Sequence, residues 1–232
     1  RMMRIDRQLD FSEGDITIEK CLVQPVSVGA GTPLTGGNLY IIDSEIDGSL
    51  ILNDDDIAFS MGYSGNGAVI RCYIHDTGSG IALGQSDSEV IADGNYVHRL
   101  RAGFNSGGAS HTDGFTLRYY TGPCAKILNN RFDCSSGHDT GALFLQPTYG
   151  LIKNIHIEGN LLEGGGYTLM LEARGYGYGS LLEVVNNRFN PSGFGVGYVD
   201  GGSGWDIWEN NYMYDPSEDD CRGEIVAAPE PF

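Results

Sequence analysis

Ile155-His156-Ile157-Glu158-Gly159-Asn160-Leu161-Leu162 alternates apolar and polar residues, reaches an asparagine, and places an apolar residue two positions beyond it. The same frame recurs at Asn95, Asn130, Asn187 and Asn211, followed by Val97, Phe132, Phe189 and Met213. Three earlier stretches keep it with Cys21, Ser44 and Cys72 at the anchor and Val23, Ile46 and Ile74 behind them. Subtracting successive anchor positions gives 23, 28, 23, 35, 30, 27 and 24 residues. A repeat of that period marks a solenoid, because one such unit buries its apolar face only by stacking on its neighbours.

Counting back from the anchors exposes the strand that precedes each one. Three residues before stand Ile18, Ile41, Val69, Ala92, Ile127, Ile157, Val184 and Trp208. Five before stand Ile16, Leu39, Gly67, Val90, Ala125, Ile155, Leu182 and Asp206. Positions three and five back share one face of a strand, since side chains alternate with period two. Thr17, Tyr40, Lys126 and His156 lie between them, on the expected outer face. The anchor itself is expected at a corner, in the left-handed backbone region that asparagine tolerates. Stacked corners put these amides about 4.8 Å apart, the spacing of an amide ladder.

A third apolar segment follows in most repeats: Ile81-Ala82-Leu83, Phe115-Thr116-Leu117, Leu143-Phe144-Leu145 and Leu169-Met170-Leu171. Glycines bracket these segments, and no stretch sustains a helical period. Three short strands per repeat without a helix predict an all-β chain. From Ile16 to Met213 it resembles the right-handed parallel β-helix proteins, the pectate-lyase-like superfamily. The resemblance implies a single-stranded right-handed parallel β-helix of about eight turns over residues 15–214. Residues 1–14 are then an N-terminal cap segment and residues 215–232 a C-terminal tail. That scaffold hosts many activities, so it does not name one.

A chain of 232 residues suits one elongated domain. Its net charge of −17 argues against nucleic acid, whose phosphates it would repel. No apolar run is long enough to insert in a membrane, and Arg1-Met2-Met3-Arg4 is not a leader. An extracellular location is expected, by a leader since removed or by virion assembly. The five cysteines lack zinc-site spacings and read as small buried fillers, with Cys21 and Cys72 too far apart for a bridge. No cofactor is expected. Asn53-Asp54-Asp55-Asp56 could hold calcium, although an acidic run in a loop is more simply solvated. Trp205 and Trp208 look like apolar closure of the last turn, whereas the tail from Asp215 reads as too polar to cap it alone. Another chain could cover that end, as in a homotrimeric spike.

The longest repeat, between Asn95 and Asn130, contains Ser110-His111-Thr112-Asp113-Gly114, and the next contains Gly137-His138-Asp139-Thr140-Gly141. Both His/Asp pairs precede the same strand, so they should stack. Glu172 and Arg174 and then Asp200 follow that strand in later turns, in the column of Gln85, Tyr119 and Gln146. Carboxylates across a groove suit glycosidic acid–base chemistry, and His111 or His138 beside Arg174 would suit proton abstraction by a lyase. His111-Thr112-Asp113-Gly114 is also similar to the Asn-Thr-Asp-Gly stretch of polygalacturonase-type β-helix hydrolases. That similarity implies Asp113 and Asp139 as the matched acids, although the chain lacks that family's Gly-His-Gly and Arg-Ile-Lys. Ordinary turn capping is the competing role for both aspartates. His75, His98 and His156 are expected on outward faces as structural or solvated groups.

Tyr119, Tyr120, Tyr149, Tyr167, Tyr176, Tyr178 and Tyr198 crowd the same half of the sequence. Aromatic faces in a groove suit sugar rings. The expected partner is therefore a polysaccharide, bound near residues 111–200. The expected activity is a hydrolase or lyase with Asp113, Asp139, His111, His138 and Glu172 as catalytic residues. Arg174, Gln146, Tyr119, Tyr149, Asp200 and Gln85 would bind substrate. The rival expectation is a non-catalytic adhesive or structural module, resembling phage tail components or repeat domains of secreted actinobacterial proteins.

Overall fold

The computed structural model describes residues 3–5, 14–24, 37–50, 57–61, 66–83, 87–101, 104–105, 108–109, 112–135, 139–173 and 175–232. These residues form strands and no helix, and the strands pair mostly in parallel within three sheets. Eight strands that end before the anchors make the first sheet, from Ile16–Glu19 to Ile207–Glu209. The second, ten-stranded sheet holds the eight strands that begin at or just after the anchors, from Cys21–Val23 to Tyr212–Tyr214, with Met3–Ile5 and Arg222–Ile225 at its two edges. Six strands make the third sheet: Ile57–Met61, Ser79–Leu83, Thr112–Leu117, Asp139–Leu145, Tyr167–Leu171 and Gly195–Val199. Strand order in each sheet follows chain order, so successive passes stack on one another. This arrangement is consistent with a β-solenoid.

The register reproduces the columns read from the sequence. Ile16, Leu39, Gly67, Val90, Ala125, Ile155 and Leu182 are neighbours in turn across the first sheet. Their inner face joins Ile74, Val97, Phe132, Leu162 and Phe189 of the second sheet and Ile81, Phe115, Leu143 and Leu169 of the third, all essentially inaccessible to solvent. Three faces with three strands per turn thus enclose one continuous apolar core. Cys21, Cys72 and Cys134 are buried within or against it, Cys124 and Cys221 are half-buried, and all five are free thiols.

The corner is built differently from expectation. None of the anchor asparagines has a positive φ; the residue before each anchor does. Lys20, Asp43, Arg71, Gly94, Asn129, Gly159, Asn186 and Asn210 occupy the left-handed region, with φ between 49° and 69°. The bend therefore falls one residue earlier and turns each anchor side chain inward. Asn95, Asn130, Asn160, Asn187 and Asn211 are at most 2% exposed. Each Oδ1 accepts the backbone N–H of the anchor one turn earlier, at 2.9–3.0 Å. Each Nδ2 donates to a core carbonyl of the preceding turn: Val69, Ala92, Ile127, Ile157 and Val184, at 2.8–3.0 Å. Side-chain amides also bond one another, as Asn130 Nδ2 does with Asn160 Oδ1 at 2.9 Å. In the earlier turns Ser44 Oγ does the equivalent service for the Cys21 amide, at 3.1 Å.

The C-terminal end departs from expectation too. The tail caps it despite its polarity, because Arg222–Ile225 pairs antiparallel with Tyr212–Tyr214. The Val226 amide bonds Asn211 O at 2.8 Å, and its carbonyl accepts from Trp208 Nε1 at 2.8 Å. Trp205 and Trp208 pack with ring centroids 5.9 Å apart, as apolar closure requires. Farther along, Pro231 bridges to Val199 and the Phe232 amide bonds Val199 O at 3.1 Å. At the other end, Met3–Ile5 adds one parallel strand to the second sheet beside Cys21–Val23.

Asn160→Ala removes the acceptor of the Asn130 amide and the donor to Ile127 O, all inside the core. At about 1–3 kcal/mol for each stranded buried group, it should lower the free energy of unfolding in urea by about 3 kcal/mol. Asn129→Gly, at the adjacent left-handed position, should change it by less than about 1 kcal/mol, since glycine adopts that conformation freely.

Candidate functional site

Leu117, Leu145, Leu171 and Val199 end their strands of the third sheet buried in the core. By alternation, the residue after each turns outward. Amide bonds from Gln146 to Leu117 O, Glu172 to Leu145 O and Asp200 to Leu171 O align Arg118, Gln146, Glu172 and Asp200 in one column. Gln146 Nε2 donates to Glu172 Oε2 at 3.1 Å, and Glu172 is only 6% exposed. Two residues back along the same outer face lie Thr116, Phe144, Met170 and Tyr198.

Tyr198 belongs to a continuous aromatic strip. Phe194, Tyr167, Tyr198 and Phe232 follow one another with ring centroids 5.5, 5.3 and 5.6 Å apart. The outer two are largely open to solvent, Phe194 at 83% and Phe232 at 81%. Phe194 is brought in by its amide bonding Gly166 O, and Phe232 by the tail that crosses back to Val199. The tyrosines stand out in the sequence as a cluster, but neither phenylalanine does. Phe194 sits among glycines and Phe232 closes a polar tail, so no periodic signal marks them.

The other predicted residues scatter. Gln85, His111, His138 and Arg174 lie outside the described residues, as do Asn53 to Asp56. Asp139 opens its strand with its backbone opposite Thr112, and Asp113 stands opposite Gly141. Asp113 is buried, at 3% exposure, and its amide donates to Ser79 Oγ at 3.3 Å. Gly141 precedes Gln146 by five residues, which is about 16 Å along a strand. The register therefore brings Glu172 together with Gln146 and Asp200, and does not bring Asp113 to them. Tyr119 stands one residue beyond the Gln146 column, its ring packed against Gly150 and its hydroxyl 3.1 Å from Thr121 Oγ1. Tyr149 is half exposed. Tyr120 is a core residue bonded to Ser88 O, and the Tyr178 hydroxyl is tied to Gly201 O.

The second sheet carries a polar outer layer that sequence reasoning passed over. Glu45, Tyr73, Tyr96 and Arg131 form one row, and Asp47, His75, His98, Asp133 and Glu163 the row beside it. Arg131 lies over the Tyr96 ring at 4.9 Å and bonds Glu163 at 2.5 Å. Tyr96 stacks on His98 at 4.4 Å. His75 and His98 are buried within this layer rather than solvated. Burial, with Arg99 and His75 nearby, pushes the His98 pKa down. The signal for this layer was the two-residue spacing of polar and aromatic groups after each anchor, legible only once the register is known.

No protein-family model, curated protein or solved structure matches this chain. Chemically, the third-sheet face offers ring surfaces for stacking beside carboxylate and amide groups for hydrogen bonding.

His156, on the first sheet, is gripped by Glu183 at 2.7 Å and Glu158 at 2.9 Å. Burial opposes its charge, but the hydrogen bonds to Glu158 and Glu183 outweigh that and raise its pKa. The folded state thus holds this proton more tightly than the unfolded chain does. Its stabilising contribution is complete below about pH 6.5, the unfolded value, and is lost as pH rises through the folded value. The stability advantage of the wild type over His156→Gln should accordingly shrink as pH rises above about 6.5 in urea titrations.

Proposed function

We propose that the protein is a right-handed parallel β-helix that binds polysaccharide along the outer face of its third sheet. Parallel strands joined by crossovers within one sheet are right-handed in about 98% of cases, which supports the handedness. The observation that carries the binding role is the strip Phe194–Tyr167–Tyr198–Phe232 beside Gln146, Glu172 and Asp200. Centroid spacings of 5.3–5.6 Å give a ribbon of rings about as long as a short oligosaccharide, and a rigid scaffold holds it without an ordering cost on binding. Neutral or cationic glycans suit it better than polyanions, given the net charge of −17.

Cleavage would fall to Glu172 and Asp200. They stand on neighbouring strands, about 4.8 Å apart at the backbone. In the retaining form of glycoside cleavage, with carboxyl groups about 5–5.5 Å apart, one carboxylate would attack the anomeric carbon and the other, as the carboxylic acid, would protonate the leaving oxygen. Water then releases the glycosyl group. Elimination would call on His111, His138 and Arg174, which lie outside the described residues. A non-catalytic adhesive role is the second reading, favoured by the burial of Glu172 and its bond to Gln146. Both readings place the protein outside the cell, on a secreted chain or a virion. The tail pairs over the strand at Tyr212–Tyr214, and light scattering would separate a monomer from the trimer of a spike.

Phe194→Ala and Tyr198→Ala should each weaken glycan binding roughly tenfold, the loss of about one stacking interaction, with unfolding midpoints little changed. Binding unaltered in both variants across an array of neutral, cationic and acidic glycans would sink the reading. Glu172→Gln and Asp200→Asn should keep binding and abolish reducing-end release. If the wild type binds but releases nothing, the adhesive reading stands and the enzymatic one is lost.

A further inference from the structure

His75 sits among more carboxylates than its ring can satisfy. Its Nδ1 is 2.6 Å from Asp76 Oδ2 and 3.7 Å from Asp47 Oδ1, and its Nε2 is 3.1 Å from Glu45 Oε1. A neutral imidazole has one N–H and one lone pair. If Nδ1 carries the hydrogen and donates to Asp76, the Nε2 lone pair points at the Glu45 carboxylate. If Nε2 carries it, the Nδ1 lone pair meets Asp76 at 2.6 Å. In the first form the Nε2–Glu45 contact needs a cation, which a second ring proton or a metal ion would supply; in the second, Nε2 donates to Glu45 and Arg99 donates into the Nδ1 lone pair at 2.9 Å. Arg99 also bonds Asp76 at 2.5 Å, so its guanidinium serves the Nδ1 side and leaves the Nε2–Glu45 side for an ion.

We propose that Glu45, Asp47 and His75 form a binding site for one divalent transition-metal ion of the zinc type. Their ligand atoms lie within 4.8 Å of one another. The fold sets this up: Asp47 and His75 are direct neighbours across the second sheet, and Glu45 lies two residues before Asp47 on the same face. Ligands bound at about 2.1 Å around a tetrahedral zinc ion stand about 3.4 Å apart, close to the 3.1 Å between Nε2 and Glu45 Oε1. One imidazole with two carboxylates suits zinc better than the all-oxygen shell calcium prefers.

The surroundings fit the same use. Asp76 on Nδ1 would fix the tautomer that presents Nε2, the arrangement usual for a metal-bound histidine, and Asp47, whose Oδ1 lies 3.7 Å from Nδ1, would turn toward the ion to complete the set. Gln24 Nε2 at 2.7 Å and the Ser49 amide at 2.8 Å orient Asp47 while leaving lone pairs on both oxygens. The Tyr73 ring at 4.7 Å and the His98 ring at 5.6 Å wall the imidazole and restrict water. Three protein ligands leave a tetrahedral position for water or an anion. The site is on the second sheet, so it stands or falls separately from the glycan face on the third.

Full-length protein stripped with EDTA and titrated with zinc chloride by calorimetry should take up one equivalent. His75→Gln, Glu45→Gln and Asp47→Asn should each weaken that uptake at least tenfold, and Asp76→Asn, acting through His75, by about tenfold. His156→Gln, which alters the other histidine held by two carboxylates, should leave it unchanged. On the wild type, long-range 1H–15N spectra should show zinc shifting the Nε2 signal of His75 and not that of His156, a readout independent of variant folding. The proposal is overturned if no equivalent is bound, if His75→Gln binds equally, if calcium binds in place of zinc, or if the His75 signals are unchanged at saturating zinc.

Discussion

Each turn of this protein must bend its backbone at a buried corner, and the amide groups released there need partners that water cannot supply. The anchor asparagine provides them. Its oxygen takes the peptide N–H of the turn before, and its nitrogen gives to a carbonyl three residues ahead of that earlier anchor. The side chain thus replaces peptide bonds that the bend diverts, and an unsatisfied group in this position would cost about 1–3 kcal/mol. Since each amide also bonds the next, from Asn95 to Asn211, one substitution affects two interfaces between turns.

With the corners fixed, the three faces have separate fates. Inner positions stack into a single apolar core, and outer positions become columns of side chains one strand apart. Columns turn a one-dimensional repeat into a patterned surface. On the third sheet they align Gln146, Glu172 and Asp200 beside aromatic rings; on the second they align Asp47 with His75. Close packing in columns also explains why His75 and His98 are buried on a face that alternation labels outer: large neighbours such as Tyr73 and Tyr96 close over them.

The repeat was legible because apolar period and anchor spacing are local properties, and columns such as Ile155 beside Leu182 follow from them directly. The corner was misplaced by one residue, because asparagine's tolerance of the left-handed region is real but here belongs to Asn129, Asn186 and Asn210, beside the anchors. Candidate acids were assigned to one groove from their nearness to a common strand. The register separates the two ends of that strand by about 16 Å, a distance that sequence position alone does not reveal. Tail polarity misled for a related reason: Arg222–Ile225 caps through backbone pairing, which is indifferent to side-chain character.

Sequence by itself determined the all-β repeat, the inner and outer faces of its strands and the asparagine column, since period-two alternation and steric preference act within a few residues. Tertiary structure decided which side chains meet. Glu172 faces Gln146 rather than Asp113, Phe232 reaches Tyr198 from the end of the chain, and Glu45 and Asp47 converge on His75 from the preceding turn. The physical reason is that turns of unequal length set the register between strands. Functional groups on such a scaffold come together across turns, where sequence separation carries no distance.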